Sequence, residues 1–216
     1  MEDQNNNTAF ISAHTTEHFV LQTAASSTIA EAAARGTLYV MALSSALVAM
    51  GFASQSPAVL MPFGRVVLPG IFILEIFTVV RLVDTTLENQ QYLTGIARIR
   101  GYYKSLGPEA TRYLRSDTAR WPEAAVPPSL TRGPFFAMLG TTASMIAFLN
   151  NLVGGAGVTL GAIALFGRDR LGIALRAGIG ATVILMALFM SYQRNRFQEL
   201  QKMFEATRNE GLADRQ

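Results

Sequence analysis

The stretch GPFFAMLGTTASMIAFLNNLVGGAGVTLGAIALFG, residues 133–167, contains no Asp, Glu, Lys, Arg or His. A helix needs about 20 consecutive apolar residues to cross a bilayer core about 30 Å thick, and this stretch exceeds that length. Charge is also absent or rare in three other tracts, residues 36–64, 66–84 and 177–193. The pattern predicts an all-α fold, a polytopic membrane protein with four transmembrane helices and cytoplasmic helical extensions.

The four spans are predicted at about residues 37–54, 62–83, 135–166 and 171–193. The third is long for a single crossing, and a hairpin broken at the glycines of 154–157 is the alternative. That hairpin would carry the arginine-rich C-terminal segment across the membrane, whereas a long helix tilts at modest cost. We therefore expect one tilted third helix that turns at residues 167–170.

The distribution of basic residues sets the predicted orientation. If both termini are cytoplasmic, fourteen of the eighteen Lys and Arg residues lie on the cytoplasmic side and four on the other. Cytoplasmic loops of membrane proteins carry an excess of Lys and Arg. Both the N- and C-termini are therefore predicted to be cytoplasmic.

Three segments outside the spans have apolar residues at helical spacing. They are residues 16–36 (Leu21, Ala25, Ile29, Ala32 and Ala33), residues 84–106 (Tyr92, Ile96, Ile99 and Tyr103) and residues 194–207 (Phe197, Leu200 and Phe204). We expect these segments to be cytoplasmic helices that pack on one another.

The remaining segments are predicted to be irregular. Residues 107–134 form a proline-rich loop with one short helix near 109–120, because Pro108, Pro122, Pro127 and Pro128 interrupt regular structure. Residues 1–15 are expected to be a disordered tail and residues 208–216 a flexible one. Residues 16–207 would then form a single membrane domain.

Catalytic and metal-binding motifs are weak in this sequence. It contains no cysteine, which excludes disulfides and thiolate sites. His14, Glu17 and His18 match the inverted zinc-peptidase motif HxxEH. However, His14 and His18 are the only histidines in the sequence, and no domain that would enclose the motif is predicted. We interpret the match as chance on an exposed helix, and expect no enzyme activity, metal, cofactor or nucleic-acid partner.

Glycines in the third and fourth spans are predicted to support close helix packing. The set is Gly154, Gly155, Gly157, Gly161 and Gly178. Three of these glycines, at 155, 157 and 161, give a spacing close to the dinucleotide-binding fingerprint, but that motif requires a strand before a helix. In an apolar span, small residues let helix backbones approach each other.

Polar residues near the middle of each span predict a polar layer at a common depth. They are Ser44, Ser45, Glu75, Asn150, Asn151 and Thr182. An ionised carboxylate at mid-membrane costs at least a few kcal/mol, so we expect Glu75 to face the bundle interior, protonated and hydrogen-bonded to Asn150 or Asn151. Two interpretations stay open: the layer holds the helices together, or it forms an ion or proton pathway.

A charged cluster is predicted at the cytoplasmic boundary of the second and fourth spans. It consists of Arg81, Asp84, Glu88, Arg194 and Arg196. The first three fall on neighbouring turns of one helix, which favours a surface ion pair. The alternative is a docking contact with the two arginines of the fourth helix.

Three stretches carry a resemblance to a known group: LYVMALSSALVAMGFASQS (38–56), FTVVRLVDTTLENQQYLTGIARIRGYY (77–103) and TTASMIAFLNNLVGGAG (141–157). They resemble a group of uncharacterised bacterial four-span membrane proteins, and the likeness covers about residues 18–198. The resemblance implies the same four-span topology and a bacterial inner membrane. It implies no catalytic or ligand-binding residues.

These features lead to two functional hypotheses. The first is a non-enzymatic bacterial inner-membrane protein, a homo-oligomeric scaffold, signalling or accessory component that contacts a cytoplasmic protein through residues 84–106 and 194–207. The alternative is a small ion channel or transporter that uses the polar layer around Glu75.

Overall fold

The computed structural model describes residues 2–113 and 134–213. Six α-helices make up most of this part: α1 (Glu2–Ala53), α2 (Pro57–Ser105), α3 (Pro108–Tyr113), α4 (Pro134–Leu139), α5 (Thr142–Phe166) and α6 (Leu171–Ala213). One 3-10 turn, Arg168–Arg170, joins α5 to α6. Within these described residues no strand occurs.

Four of the helices, α1, α2, α5 and α6, are long and apolar enough to cross a membrane. The most apolar 18-residue window of each has a mean hydropathy between 1.5 and 2.3. The predicted all-α class with four candidate spans is therefore confirmed. At most 33% of any window is buried inside the protein, so the outward apolar surface is suited to lipid.

The third span begins later than predicted. A helix was expected from residue 135, but the chain turns at Gly140 between α4 and α5. Thr141 caps α5 with an extended backbone (φ −80°, ψ 152°), and its hydroxyl accepts a hydrogen bond from the backbone N–H of Ser144 at 3.2 Å. Threonine is a favourable N-cap and glycine a poor helix interior residue, which explains the break.

From Thr142, α5 runs without interruption through the glycines of 154–157. The single-helix prediction is therefore confirmed and the hairpin is excluded. The helix ends at Gly167, whose φ of 83° lies in a region that glycine adopts readily. The turn predicted at residues 167–170 is where the structure places it.

Helical structure extends further toward both ends of the chain than predicted. Residues 1–15 were expected to be disordered, but α1 begins at Glu2. Packing explains part of this difference, because the Thr15 hydroxyl lies 3.3 Å from the Tyr103 hydroxyl and the Phe10 ring packs on the Tyr102 ring. At the other end, α6 continues to Ala213 into the predicted flexible tail 208–216, of which 214–216 lie outside the described residues.

The predicted loop 107–134 is described only at its ends. Within the predicted short helix near 109–120, α3 covers Pro108–Tyr113, and residues 114–133 lie outside the described residues. The chain resumes with α4 at Pro134.

Contacts divide the chain into two compact units, whereas the sequence predicts one domain over 16–207. Unit 1 comprises Met1–Ala33 and Asp84–Ala137, and unit 2 comprises Ala34–Val83 and Met138–Gln216. Both α1 and α2 contribute to each unit because they are far longer than a single span requires. Each unit is described by itself below.

Unit 1 contains an antiparallel pair formed by the first part of α1 and the last part of α2. The Thr28 hydroxyl donates to Asn89 Oδ1 at 3.3 Å, and a Cβ at Gly95 would meet Leu21 at 2.9 Å. Ala25, Ile96 and Ile99 are buried as predicted, so these two extensions do pack on each other. The third extension belongs to unit 2.

Two positions of the predicted apolar stripe on α1 are wrong, because Ile29 and Ala33 are both exposed. Ile29 is 63% exposed, and Thr28 is buried in its place at 6%. The Thr28 hydroxyl also lies 2.8 Å from the Ala25 carbonyl oxygen. A buried hydroxyl with hydrogen-bond partners is tolerated, so the helix can turn its threonine inward.

Unit 2 is built from the candidate spans. A Cβ added at Gly36 of α1 would lie 3.4 Å from both Thr142 and Ile146 of α5. The Gln193 side chain of α6 donates to the Thr141 hydroxyl at the start of α5. The buried apolar side chains are Tyr39, Leu43, Ile71, Val79, Leu82, Val83, Ala143, Ile146, Ala147, Ala174 and Leu200. Several are small, which suits close helix packing in lipid.

Candidate functional site

Tyr39 on α1 forms a hydrogen bond with a residue of the predicted polar layer on α5. Its side chain is 1% exposed, and its hydroxyl donates to Oδ1 of Asn150 on α5 at 3.5 Å. Asn150 itself is 1% exposed. Sequence reasoning missed Tyr39, although a tyrosine three residues into an apolar tract is a polar group that needs a partner when buried.

Glu75 faces the interior of unit 2, as predicted. It is 3% exposed and lies on the buried face of α2 with Ile71, Val79 and Leu82. Glu75, Tyr39 and Asn150 are all buried in unit 2, and Tyr39 and Asn150 are hydrogen-bonded to each other.

The hydrogen bonds predicted between Glu75 and the asparagines are replaced by others. In the described part of the chain, Asn150 accepts from Tyr39, and Asn151 Nδ2 donates to the Met186 sulfur at 3.5 Å. The Thr182 hydroxyl lies 3.1 Å from the Asn151 carbonyl oxygen. Asn150, Asn151 and Thr182 thus belong to the polar layer as predicted, but with different partners.

Ser44 and Ser45 do not belong to this layer. Both are exposed, because α1 buries Gly36, Tyr39 and Leu43 on one face. Each residue of a helix turns about 100° from the last. The two serines therefore point away from that face.

A second buried polar cluster, which sequence reasoning missed, joins the start of α5 to α6. Gln193 is 1% exposed, and its Nε2 donates to the Thr141 hydroxyl at 3.1 Å. The Ser144 hydroxyl lies 3.2 Å from Gln193 Oε1 and 2.6 Å from the Met138 carbonyl oxygen. Threonine is a favoured N-cap residue, so Thr141 could have located one half of the cluster.

Gly155 and Gly178 form a close contact between α5 and α6, as predicted for packing glycines. A Cβ at Gly155 would lie 2.7 Å from the Gly178 carbonyl oxygen and would overlap the Thr182 hydroxyl. A Cβ at Gly178 would lie 2.6 Å from the Gly155 carbonyl oxygen. Gly154 is also tight, with Phe72 at 2.9 Å and Leu185 at 3.0 Å from its Cβ position.

The packing role predicted for Gly157 and Gly161 is wrong for the contacts described within this chain. A Cβ at either position would meet nothing within 4 Å. Both residues instead line an apolar groove of about 760 Å³ whose walls come mainly from α2, α5 and α6. We call this feature the apolar groove; it is lined by Met50, Leu60, Met61, Gly64, Arg65, Leu68, Pro69, Phe72, Val153, Gly154, Gly157, Val158, Leu160, Gly161, Ala164, Ala181, Ile184 and Leu185.

The residues of the predicted boundary cluster differ in exposure. Arg81, Asp84 and Glu88 are half-buried on α2, and Arg194 is exposed. Arg196 Nη1 donates to Glu199 Oε2 at 2.8 Å, an i,i+3 pair in which both side chains are at least 40% exposed. Such exposed pairs contribute about 0–1 kcal/mol. Docking between the α2 and α6 members of the cluster stays a prediction.

The two histidines of the HxxEH motif, His14 and His18, have different neighbours in unit 1. The His14 ring packs against the Phe10 ring at 4.1 Å and the Tyr102 ring at 5.1 Å. His18 lines a different feature, a cavity of about 410 Å³ that also includes Asn89 and Arg100. No group of three metal-ligating side chains occurs among the residues that the structure describes.

Comparison of the chain with family models, curated proteins and solved structures finds no significant match.

Proposed function

We propose that this protein is a non-enzymatic structural component of a bacterial inner membrane, a homo-oligomer with both termini in the cytoplasm. Its membrane helices would anchor it, and its helical extensions would contact a cytoplasmic protein as a scaffold, signalling or accessory element. The four apolar helices and the outward apolar surface support membrane residence.

The observation that carries this proposal is the internal hydrogen bonding of the polar layer. Asn150 binds Tyr39, Asn151 binds Met186, and Thr182 binds the Asn151 backbone. Polar side chains that bind each other hold helices together, at about 0.6–2 kcal/mol per interaction in membranes. The layer is therefore better suited to joining helices than to passing ions.

The helical pair of unit 1 supports the scaffold role. It is held along its length by contacts between α1 and α2, from Thr15 with Tyr103 to Thr28 with Asn89. Apolar side chains nevertheless remain exposed on it, including Phe19 at 64%, Val20 at 56% and Ile29 at 63%. These side chains are available for contact with another protein.

Cysteine crosslinking in cells tests the proposal, because the native chain contains no cysteine to interfere. The Gln91→Cys and Gln198→Cys variants carry exposed positions on α2 and α6, and Ser54→Cys places an exposed control in the turn after α1. We expect a membrane-permeant bismaleimide to link the first two variants to a second copy or to another protein. A membrane-impermeant maleimide should label only the Ser54 variant from outside.

Two results would contradict the proposal. Absence of any crosslinked product at both Gln91 and Gln198 would remove the scaffold role. Labelling of the Gln198 variant by the impermeant reagent in intact cells would reverse the proposed orientation.

A second candidate function is conduction of protons or ions, and it depends on a different observation. Glu75 is a carboxyl group that is only 3% exposed within a candidate span, and ionisable residues inside membrane helices mark transport pathways in many proteins. Flux in proteoliposomes separates the two functions. We expect the wild type, Glu75→Gln and Tyr39→Phe proteins to leak no more than protein-free liposomes, whereas flux that is lost in the Glu75→Gln variant would establish the second function instead.

A further inference from the structure

The apolar groove is filled by side chains at Gly154 and has free space at Gly157 and Gly161. A Cβ at Gly154 would lie 2.9 Å from Phe72 and 3.0 Å from Leu185. Toward the end of α5, a Cβ at Gly157 or Gly161 would meet nothing within 4 Å. The groove of about 760 Å³ therefore widens away from the polar layer, and its volume falls in the range of about 300–1,000 Å³ typical of ligand-binding clefts.

Arg65 is the only charged residue among those that line the groove in the described structure. It lies ten residues before Glu75 on the same helix, and at 1.5 Å per residue this separation is about 15 Å along the axis. Half of a hydrocarbon core about 30 Å thick is the same distance. If Glu75 lies at the membrane centre, as the sequence predicts, Arg65 lies at the boundary between acyl chains and headgroups.

The chemistry of the groove matches the two parts of a phospholipid. Its walls are apolar side chains such as Leu68, Phe72 and Leu160, and they occupy the depth at which acyl chains lie. Arg65 is exposed, and a guanidinium group can bind phosphate oxygens through two parallel hydrogen bonds. We propose that the groove binds one acyl chain of a phospholipid whose headgroup phosphate is bound by Arg65.

A lipid fits this space better than a helix of a second copy. An interface between two copies through this groove would place Arg65 against apolar lining or against a second Arg65, because Arg65 is the only charged residue that lines the groove in the described structure. An arginine buried without an anionic partner is costly. A phospholipid supplies both the phosphate for Arg65 and the acyl chain for the groove.

Native mass spectrometry of the intact protein in detergent, titrated with dioleoyl phosphatidylglycerol, tests this inference. The Arg65→Gln variant removes the charge at the groove, and Arg176→Gln removes an exposed arginine of α6 that does not line it. The Gly157→Leu/Gly161→Leu variant fills the groove at positions with free space, and Gly172→Leu is its control, exposed and also without neighbours within 4 Å.

We expect the wild type and both controls to bind one lipid per chain in the tightest step. Loss of a charge-assisted hydrogen bond weakens binding by about tenfold or more. The Arg65→Gln variant should therefore require a lipid concentration higher by the same factor to reach the same fraction of lipid-bound protein. The groove-filled variant should show no adduct at lipid concentrations that saturate the wild type. Unchanged thermal stability of this variant would show that it is folded.

The proposal is wrong if the Arg65→Gln and groove-filled variants bind the lipid as tightly as the wild type. It is also wrong if the groove-filled variant keeps its lipid but dissociates from oligomer to monomer, because the groove would then hold a second copy. Neither result would change the outcome of the crosslinking experiment, which tests the scaffold proposal separately.

Discussion

The contact between Gly155 and Gly178 predicts a large difference between two equivalent substitutions on one helix. In Gly155→Ala, the new methyl group would lie 2.7 Å from the Gly178 carbonyl oxygen, where ordinary van der Waals contact begins at 3.4 Å. That atom belongs to the backbone of α6, so the whole helix must move by several tenths of an ångström. In Gly157→Ala, two residues away, the methyl group would meet nothing within 4 Å.

Overpacking a tight contact costs typically about 1–3 kcal/mol, whereas replacing an interior helical glycine by alanine alone stabilises by roughly 0.5–1 kcal/mol. Both variants gain the stabilisation from replacing glycine by alanine. The difference in stability between them therefore measures the overpacking cost alone, about 1–3 kcal/mol. At about 2–4 °C per kcal/mol for a chain of this size, a cost of about 2 kcal/mol lowers the unfolding midpoint of Gly155→Ala by roughly 4–8 °C relative to Gly157→Ala.

Thermal exposure of a buried thiol measures this difference. Ala147 is 2% exposed, and an Ala147→Cys background would provide the only thiol in the chain. A fluorogenic maleimide then reports unfolding in detergent as temperature rises. Equal midpoints for the two alanine variants would refute the proposed contact between α5 and α6.

Two further predictions concern the buried polar groups. In Gln193→Leu, the Thr141 and Ser144 hydroxyls each lose a hydrogen bond to α6 but keep the Met138 carbonyl oxygen as a partner, and a lost hydrogen bond costs about 0.5–1.5 kcal/mol; the thiol-exposure midpoint should fall, while that of Gln201→Leu, at an exposed position of the same helix, should not. A double-mutant cycle with Tyr39→Phe and Asn150→Leu should give a coupling energy of about 0.6 kcal/mol, typical of hydrogen bonds between membrane helices; additive effects of the two substitutions would mean that the 3.5 Å contact contributes nothing.

The spans and the turn at 167–170 could be predicted because they depend on local composition. A stretch of thirty-five residues without charge must be shielded from water wherever it lies, and its length then implies a crossing. The burial of Glu75 followed from the same argument, because a carboxyl group within such a tract needs the protein interior. The helix break at Thr141 was missed, although its capping residues are visible in the sequence.

Only the tertiary structure decided which sides of α1 and α5 face inward. Ser44 and Tyr39 are both polar residues of one apolar tract, but packing of α1 against α5 buries the tyrosine and leaves the serine exposed. In the same way Gly155 contacts a neighbouring helix while Gly157 lines a groove. Hydropathy along the chain determines that a segment enters the membrane, but the rotation of a helix about its axis depends on the shapes and hydrogen-bond partners offered by its neighbours.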